Sequence, residues 1–478
     1  MARQAIPPEE VKVLDTNSSY LGVRTIALME NAGAAVAKHV LSNTKPESRV
    51  AVVCGKGNNG GDGFVAARYV SNSRPTEVFL AEPGQEVSSD IARANMDMVR
   101  DLIRPIGSFE PRRYDILVDA LLGVGLQGRP REPYSSLIKR INDSRRTVYS
   151  IDVPSGWPSD LHVRPDVTIT LHAPKLGMDK KNSGRIVVED IGVPRDAERY
   201  CGPGDFVLLP RRRKDAHKGD SGRVLVIGGG PYTGAPALAG MAAMRSGVDL
   251  VFVATPEPAA LPVSIYSPNL IVKPLKGEVL SEEHVDYLLD FSGQCDVVAI
   301  GPGLGSARET LSAVQEIIRK CRKPLVIDAD AIAACGAKPR ILSGKDGVIT
   351  PHAGEFKKLT GKTLPSENMD RREAMVKEAA AKLKMTILLK GPVDIISDGR
   401  YVKLNRVHND AMTVGGTGDV LMGLASGVLA QKASPFASAR IAAFANGLAG
   451  NLAFEEKSYG LLSTDIIEKI PLVLRRYL

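Results

Sequence analysis

Aromatic residues are scarce in this 478-residue chain, at 5% with a single tryptophan, which argues against a nucleic-acid binder needing ring faces on which bases stack. Cysteine is equally sparse. Cys54, Cys201, Cys295, Cys321 and Cys335 are odd in number and widely spaced, with no CxxC pair, so a disulfide framework and the usual zinc or redox motifs are excluded. No run approaches the roughly 18 uninterrupted apolar residues of a membrane span, and the opening MARQAIPPEE has no apolar signal core. The expectation is a soluble protein of the reducing cytoplasm, with neither membrane nor nucleic acid as partner.

The composition is globular, 44% hydrophobic and 24% charged. The net charge of +8 is dispersed apart from one run, Arg211, Arg212, Arg213 and Lys214, read as solvated surface near a junction. The length exceeds the roughly 250 to 300 residues at which single cores stop growing, so more than one domain is expected. Short apolar runs alternate with helical-period segments through both halves, predicting α/β layers with largely parallel sheets. Strands are expected at 50–54, 78–81, 114–120, 148–153 and 167–171, and again at 223–227, 249–254, 296–300, 324–328, 347–350 and 386–390. Leu28, Ala32, Val36 and Val40 recur at spacing four and predict a helix facing the core. Pro203, Gly204, Pro210, the basic run and Gly219 to Gly222 mark a boundary, giving domains 1–207 and 208–478.

Two glycine-and-aspartate segments carry the chemistry. GNNGGDG at 57–63 follows a strand pattern and precedes a helical one, where glycines let backbone N–H groups approach a phosphate and the helix dipole favours negative charge. It is not a Walker A loop, since no GK[ST] closes it. GVGLQG at 123–128 satisfies GxGxxG, but Arg129, Pro130 and Pro133 follow, so it reads as a loop over a ligand rather than a dinucleotide fingerprint. Asp119 and Asp152 end predicted parallel strands, where ligands gather in such sheets; two carboxylates there can hold a hard cation or do acid–base work. GGTGD at 415–419 opens a second helical pattern, pairing an anion hole with Asp419, a carboxylate able to take a proton from a hydroxyl. Between Pro351 and Gly354 on a loop after a strand, His352 reads as a contact residue. GKT at 361–363 is a decoy, because the Walker pattern needs glycine where Phe356 stands.

With LMENAG at 28–33, VDALLGVG, IDVPSGW and HAPKLGM at 172–178, the first half resembles the amino-terminal domain of the YjeF family, the NAD(P)H-hydrate epimerases, as far as residue 205. The resemblance implies a Rossmann-like doubly wound domain with a potassium ion held by Asn59, Asp119 and Ser155. The hydrated dinucleotide would be contacted by Asn58, Asn59, Gly60, Gly61 and Asp62, by Gly123, Val124, Gly125, Leu126, Gln127, Gly128 and Arg129, and by Asp152, the expected proton-transfer residue.

In the second half, HKGDSGRVLVIGGG, YTGAP at 232–236, GPGLG at 301–305, IDADA at 327–331, TPHAGEF at 350–356, LLKGPVD at 388–394 and GGTGD resemble the ribokinase-like α/β superfamily, and within it the NAD(P)H-hydrate dehydratases, over 207–478. The resemblance implies that Gly303, then His352, Ala353, Gly354, Glu355, Phe356, Lys357 and Lys358, and the catalytic Asp419 meet the hydrate. Lys390, Gly391, Pro392, Val393 and Asp394 would hold ADP together with Asn409, Asp410, Ala411, Met412, Thr413, Val414, Gly415, Gly416, Thr417 and Gly418. ATP is the alternative nucleotide, with Mg2+ accompanying either. His408 and Ala411 stand where the family usually has glycine, which bears on the ADP loop.

The two resemblances together imply a homo-oligomeric repair enzyme that interconverts R and S hydrates of NADH and NADPH and dehydrates the S form at the expense of ADP. Two alternatives stand beside it: a small-molecule kinase of the same superfamily with an accessory domain, and a nucleotide-binding regulator without catalysis.

Overall fold

The buried run Val50–Cys54, β1, is the axis of the first unit in the computed structural model, which describes residues 3–82, 84 and 87–478. Its side chains alternate between two cores. Val50, Val52 and Cys54 pack with Val36, Ala37 and Val40 of the helix Thr25–Ser42, α2, while Ala51 and Val53 meet Leu117, Leu137 and Ile138 on the opposite face. A strand covered on both faces needs no polar alternation, so its sequence reads as one apolar run. Beside it lie β2 (Thr76–Leu80), β3 (Ile103–Arg104), β4 (Ile116–Ala120), β5 (Thr147–Ile151), β6 (Val167–Leu171) and β7 (Arg185–Glu189), in the order β3-β2-β1-β4-β5-β6-β7 and parallel throughout. The order reverses between β1 and β4, the place where a doubly wound sheet opens a crevice at its carboxyl edge.

The second unit repeats the plan on a larger sheet. Its strands are β8 (Arg223–Ile227), β9 (Leu250–Pro256), β10 (Ile271–Leu275), β11 (Val297–Ile300), β12 (Leu325–Ile327), β13 (Gly347–Ile349), β14 (Thr386–Leu389), β15 (Asp394–Ser397) and β16 (Val402–Asn405). They run β10-β9-β8-β11-β12-β13-β14-β15-β16, parallel as far as β14, with β15 and β16 added as antiparallel neighbours. Here the reversal falls between β8 and β11. The helix Thr417–Ala430 is buried along its length from Val420, and it meets the helix Gly234–Arg245 through glycines. A Cβ on Gly423 would lie 2.1 Å from the Ala239 carbonyl oxygen, and one on Gly427 would lie 1.9 Å from Ser246 Oγ. This backbone contact fixes the helix whose first turn carries Asp419.

Contacts divide the chain into Met1–Ala197 and Glu198–Leu478. The division precedes the expected junction at 207/208 because Cys201, Phe206 and Leu209 belong to the second core, where the buried Asp205 carboxylate also pairs with Arg440. The expected strands are present, and β3, β7, β10, β15 and β16 are additional. These lack the buried-run signature: β3 has two residues, β7 and β10 are only partly covered, and Pro274 interrupts the β10 pattern. Among the described residues no helix is long and apolar enough to cross a membrane.

Candidate active sites

GNNGGDG is the opening of a helix rather than a free loop. The helix Asn58–Ser71, α3, has Gly57 at its N-cap and no side chain capping it. The N–H of Gly61 donates to the Gly57 carbonyl at 3.1 Å, so the N–H groups of Asn58, Asn59 and Gly60 have no partner within the helix. Such an end attracts anions through its N–H groups and dipole. Gly60 and Gly61, expected to contact the substrate, do not line the cavity in front of this helix end. They are buried, and a Cβ would lie 1.9 Å from the Gly55 carbonyl oxygen in the first case and 2.6 Å from Met29 Cε in the second. Their bare backbones let α3 seat against β1 and α2.

In front of this helix end lies a cavity of about 750 Å³, with Asn58, Asn59, Asp62 and Asp152 among its lining residues. Gly123, Val124, Gly125, Leu126 and Gln127 form another part of the wall, as expected. Gly128 and Arg129 do not. Among the described residues Arg129 instead reaches Asp160 at 3.4 Å, out in solvent, because the chain has turned away by then. Asp152 follows β5 with φ at +65°, a left-handed conformation that costs about 1–3 kcal/mol in a non-glycine residue and clusters at functional sites. Its Oδ1 accepts from the Leu171 N–H at 3.1 Å and forms an ion pair with the buried Lys175 ammonium, which also donates to Thr170 Oγ1 and the Leu171 carbonyl, both at 3.0 Å. Burial first, then the charges of Asp152 and Asp15, push the Asp62 carboxyl well above the usual range, against the pull of Lys175.

Asp119 does not face the cavity. It is fully buried, and its Oδ2 accepts from Ser150 Oγ at 2.7 Å and the Ser155 N–H at 2.9 Å, and Oδ1 from the Leu121 N–H at 3.3 Å. Burial raises its pKa, against these hydrogen bonds from Ser155, Ser150 and Leu121. Ser155 Oγ accepts from the Leu122 N–H at 2.8 Å, and Asn59 lies alongside Gly123 with a buried amide nitrogen that has no partner. A carboxylate, a hydroxyl and an amide whose oxygen can be turned inward suit a hard monovalent cation. Among the described residues no group of three His, Cys, Asp or Glu side chains could hold a metal ion.

In the second unit the carboxyl ends of β11, β12, β13 and β14 lie side by side. After β11, Gly303 adopts φ +71°, and a Cβ there would lie 2.5 Å from the Tyr232 carbonyl oxygen, so the GPGLG and YTGAP segments touch through backbone. Asp328 follows β12 and accepts from Lys390 Nζ at 2.7 Å. Lys390 follows β14; a Cβ on Gly418 would stand 3.4 Å from its ammonium. Glu355 completes the group at 3.9 Å from that ammonium. Burial pulls the Lys390 pKa down, but Asp328, Glu355 and Asp419 outweigh it and the net direction is up. Burial, then the Asp328 charge, pushes Asp419 up to about 7, with Lys390 pulling the other way. An aspartate titrating near neutrality is well matched to proton abstraction.

His352 caps the helix Ala353–Thr360: its Nδ1 accepts from the Gly354 N–H at 3.0 Å and the Glu355 N–H at 3.3 Å. Phe356 is not a contact residue, because helical periodicity turns it inward, fully buried among Val376, Ile387 and Leu389; Lys357 and Lys358 point into solvent beyond it. Within the nucleotide set, Asp394 closes its own turn, accepting from the Gly391 N–H at 3.1 Å and Asn405 Nδ2 at 3.0 Å. Ala411 sinks its methyl into the core beside Met412 and so anchors the loop. Asn409 caps the short turn Asp410–Thr413, and Ser463 Oγ donates to the Gly415 carbonyl at 2.8 Å. The helix Thr417–Ala430 begins at Gly416, φ +95°, with no side-chain cap, leaving its first N–H groups open in the turn that bears Asp419. Sequence reasoning missed Asp15, Lys175 and Asp328. The last two stand inside quoted motifs, whereas Asp15 lies on an ordinary helix with no motif around it.

Comparison with known proteins matches each of the two units to a family. A family model described as NAD(P)H-hydrate dehydratase matches residues 224–472, and one described as YjeF-related protein N-terminus matches residues 25–177. The chain is 43% identical over 502 residues to a bifunctional NAD(P)H-hydrate repair enzyme of Pyrobaculum aerophilum, covering 99% of both chains. It is 44% identical to the protein of the same description from Hyperthermus butylicus, covering 98% of this chain and 92% of that one. Among solved structures, a ribokinase-like superfamily protein from Enterococcus faecalis matches 58% of this chain and 96% of its own, with TM-score 0.52 and 27% identity.

The packing at the start of α3 yields a stability contrast. Gly60→Ala drives a Cβ into a backbone oxygen and is expected to destabilise the first unit by about 1–3 kcal/mol, whereas Gly57→Ala, with open space around it, costs under about 1 kcal/mol. Urea unfolding of the two variants checks this; equal losses, or a larger one for Gly57→Ala, would contradict the packing role of Gly60.

Proposed function

The chain belongs to the family of bifunctional NAD(P)H-hydrate repair enzymes, and from that membership we propose how its two sites divide the work. Residues 1–207 carry the epimerase activity and 208–478 the dehydratase activity. The hydrate is NADH or NADPH to whose nicotinamide ring water has added, leaving a hydroxyl on the carbon beside the ring nitrogen. Its R and S forms interconvert in the first unit, and the S form is dehydrated in the second.

In the first unit the open end of α3 receives the dinucleotide phosphates, the segment Gly123 to Gln127 covers the ligand, and Asp152 handles the proton with Lys175 as its fixed countercharge. Asn59, Asp119 and Ser155 are the residues that would hold potassium, which would supply positive charge to the site when bound. The residues themselves orient the ring toward Asp152.

In the second unit, one observation carries the reading: Asp419 sits in the first turn of an uncapped helix beside the Lys390–Asp328 pair and titrates near 7. It takes the proton from the ring hydroxyl as that oxygen attacks the terminal phosphorus of ADP, releasing AMP. With the new phosphorus–oxygen bond in place, the hydrate's original carbon–oxygen bond breaks with its electron pair on the departing phosphate as the ring nitrogen's lone pair moves to that carbon, and loss of a proton from the adjacent ring carbon restores the reduced nicotinamide. Lys390 and the open N–H groups of Thr417 and Gly418 face the phosphoryl oxygens. Mg2+ would accompany the nucleotide and would offset the charge of its phosphates. ADP is the expected nucleotide, with ATP the alternative. A small-molecule kinase built on the same fold would instead leave a stable phosphorylated product.

Incubating the S hydrate of NADH with ADP therefore regenerates the reduced-nicotinamide absorbance with one phosphate released per NADH, and Asp419→Asn lowers kcat by about 10²–10⁴. A phosphorylated product that accumulates, or full activity in D419N, would refute the dehydratase mechanism. The pH dependence follows from the neighbours. Asp419 acts deprotonated, so kcat/KM rises with pH through its titration near 7; Asp328→Asn removes a negative charge that raises this pKa, and the limb moves to lower pH. A limb that stays put or moves upward in D328N would show that Asp328 does not tune the base.

A further inference from the structure

Epimerisation at a hydroxyl-bearing carbon requires a proton to be given to the departing oxygen and another to be taken from the arriving one. Asp152 is a single carboxylate, and one of its oxygens is already engaged by Lys175 and the Leu171 N–H. A second carboxyl group lines the same cavity. Asp15 lies within the helix Glu10–Tyr20, α1, whose buried Val13, Leu14, Asn17 and Ser18 fix it in place. The Asp15 side chain is partly buried, and among the described residues it neither accepts a hydrogen bond nor forms an ion pair with the protein. Leaving a half-buried carboxyl without a protein donor carries a desolvation cost. Three features therefore coincide at Asp15: a position on the wall of the substrate cavity, no structural partner, and an electrostatic interaction with Asp152.

We propose that Asp15 is the second catalytic residue of the epimerase site, the acid that works opposite Asp152. The inference rests on the reading of this cavity as the epimerase site. Asp15 protonates the ring hydroxyl as the carbon–oxygen bond breaks, its electron pair staying on the oxygen, which leaves as water. The lone pair of the ring nitrogen forms a carbon–nitrogen double bond to the same carbon. A water molecule adds to that carbon from the other face, the double-bond pair returns to nitrogen, and Asp152 takes the proton released by the new hydroxyl. One water leaves and one enters, so atoms and charge balance without oxidant or cofactor; Asp152 then returns its proton and Asp15 regains one through solvent. In the reverse direction the two carboxyl groups exchange roles.

The surroundings suit an acid. Burial, then the Asp152 charge, pushes Asp15 up to about 6, against Lys175 and His172, so it keeps its proton where an ordinary aspartic acid has lost it. Asp62, Lys12 and Lys56 are the other charged groups along the cavity wall. The Asn59 amide nitrogen, buried and unpartnered on the same wall, is a further polar group left for a ligand.

The test uses the full chain with the pure R hydrate of NADH and no nucleotide, following its conversion to the S form by chromatography above the uncatalysed rate. Asp15→Asn is expected to lower kcat at least about 100-fold with KM within about threefold, and to remove the alkaline fall in rate that the wild type shows as Asp15 loses its proton. Asp15→Glu keeps the acid and recovers part of the rate. A wild-type kcat in D15N overturns the assignment, as does a loss confined to KM, or a loss that D15E does not relieve at all. A wild-type chain that leaves the R hydrate unchanged refutes the epimerase reading itself, a different result from an inert Asp15 substitution.

Discussion

Parallel strands must all release their chains at the same edge of a sheet, and both sites follow from that constraint. At that edge in each unit, helix ends with open N–H groups meet carboxylates that the preceding strands carry there. The reversals of strand order, between β1 and β4 in one unit and between β8 and β11 in the other, part the neighbouring segments so that a ligand can enter. Glycines serve this geometry chiefly through packing. Gly60 passes over the Gly55 carbonyl, and Gly423 and Gly427 rest on the neighbouring helix, so the helices that carry the sites are held by contacts no side chain would permit.

The units solve the same electrostatic problem in different ways. Each sets a lysine against an aspartate at the carboxyl edge, Lys175 with Asp152 and Lys390 with Asp328. In the first unit the carboxyl groups arrive from three separate elements, Asp15 from α1, Asp62 from α3 and Asp152 from the end of β5, around one cavity. In the second, the proposed base Asp419 is built into the helix turn that offers the anion site, and the lysine pair lies beside it. The first arrangement suits a reaction that exchanges one water for another on a single carbon. The second suits transfer of a phosphoryl group to the oxygen from which the same residue has taken the proton.

Much of the fold could be read from the chain because strands buried on both faces leave an unbroken apolar signature, as β1 and β8 do. The hairpin β15–β16 and the two-residue β3 leave no such trace, since their pairing depends on neighbours already in place. For the sites, the placing of Asp152 after a strand and of Asp419 at a helix start was legible in the chain. Motifs could not tell which face of a helix each residue takes, so Gly60, Gly61 and Phe356 read as ligand contacts although Gly60 and Gly61 pack against neighbouring elements rather than lining the cavity, and Phe356 is buried in the core. Asp15 was invisible for the opposite reason. Its helix has an ordinary sequence, and only the folded chain brings that carboxyl group to Asp152.

The central claim is that one chain performs two consecutive steps on one damaged cofactor, and supplying it with a defined mixture of R and S hydrates of NADH plus ADP tests that most directly. The wild type is expected to restore reduced-nicotinamide absorbance from both forms, and Asp152→Asn to restore it from the S portion while the R portion remains apart from its slow uncatalysed conversion. Recovery of the R portion by D152N at the wild-type rate, or failure of the wild type to recover either form, would contradict the claim.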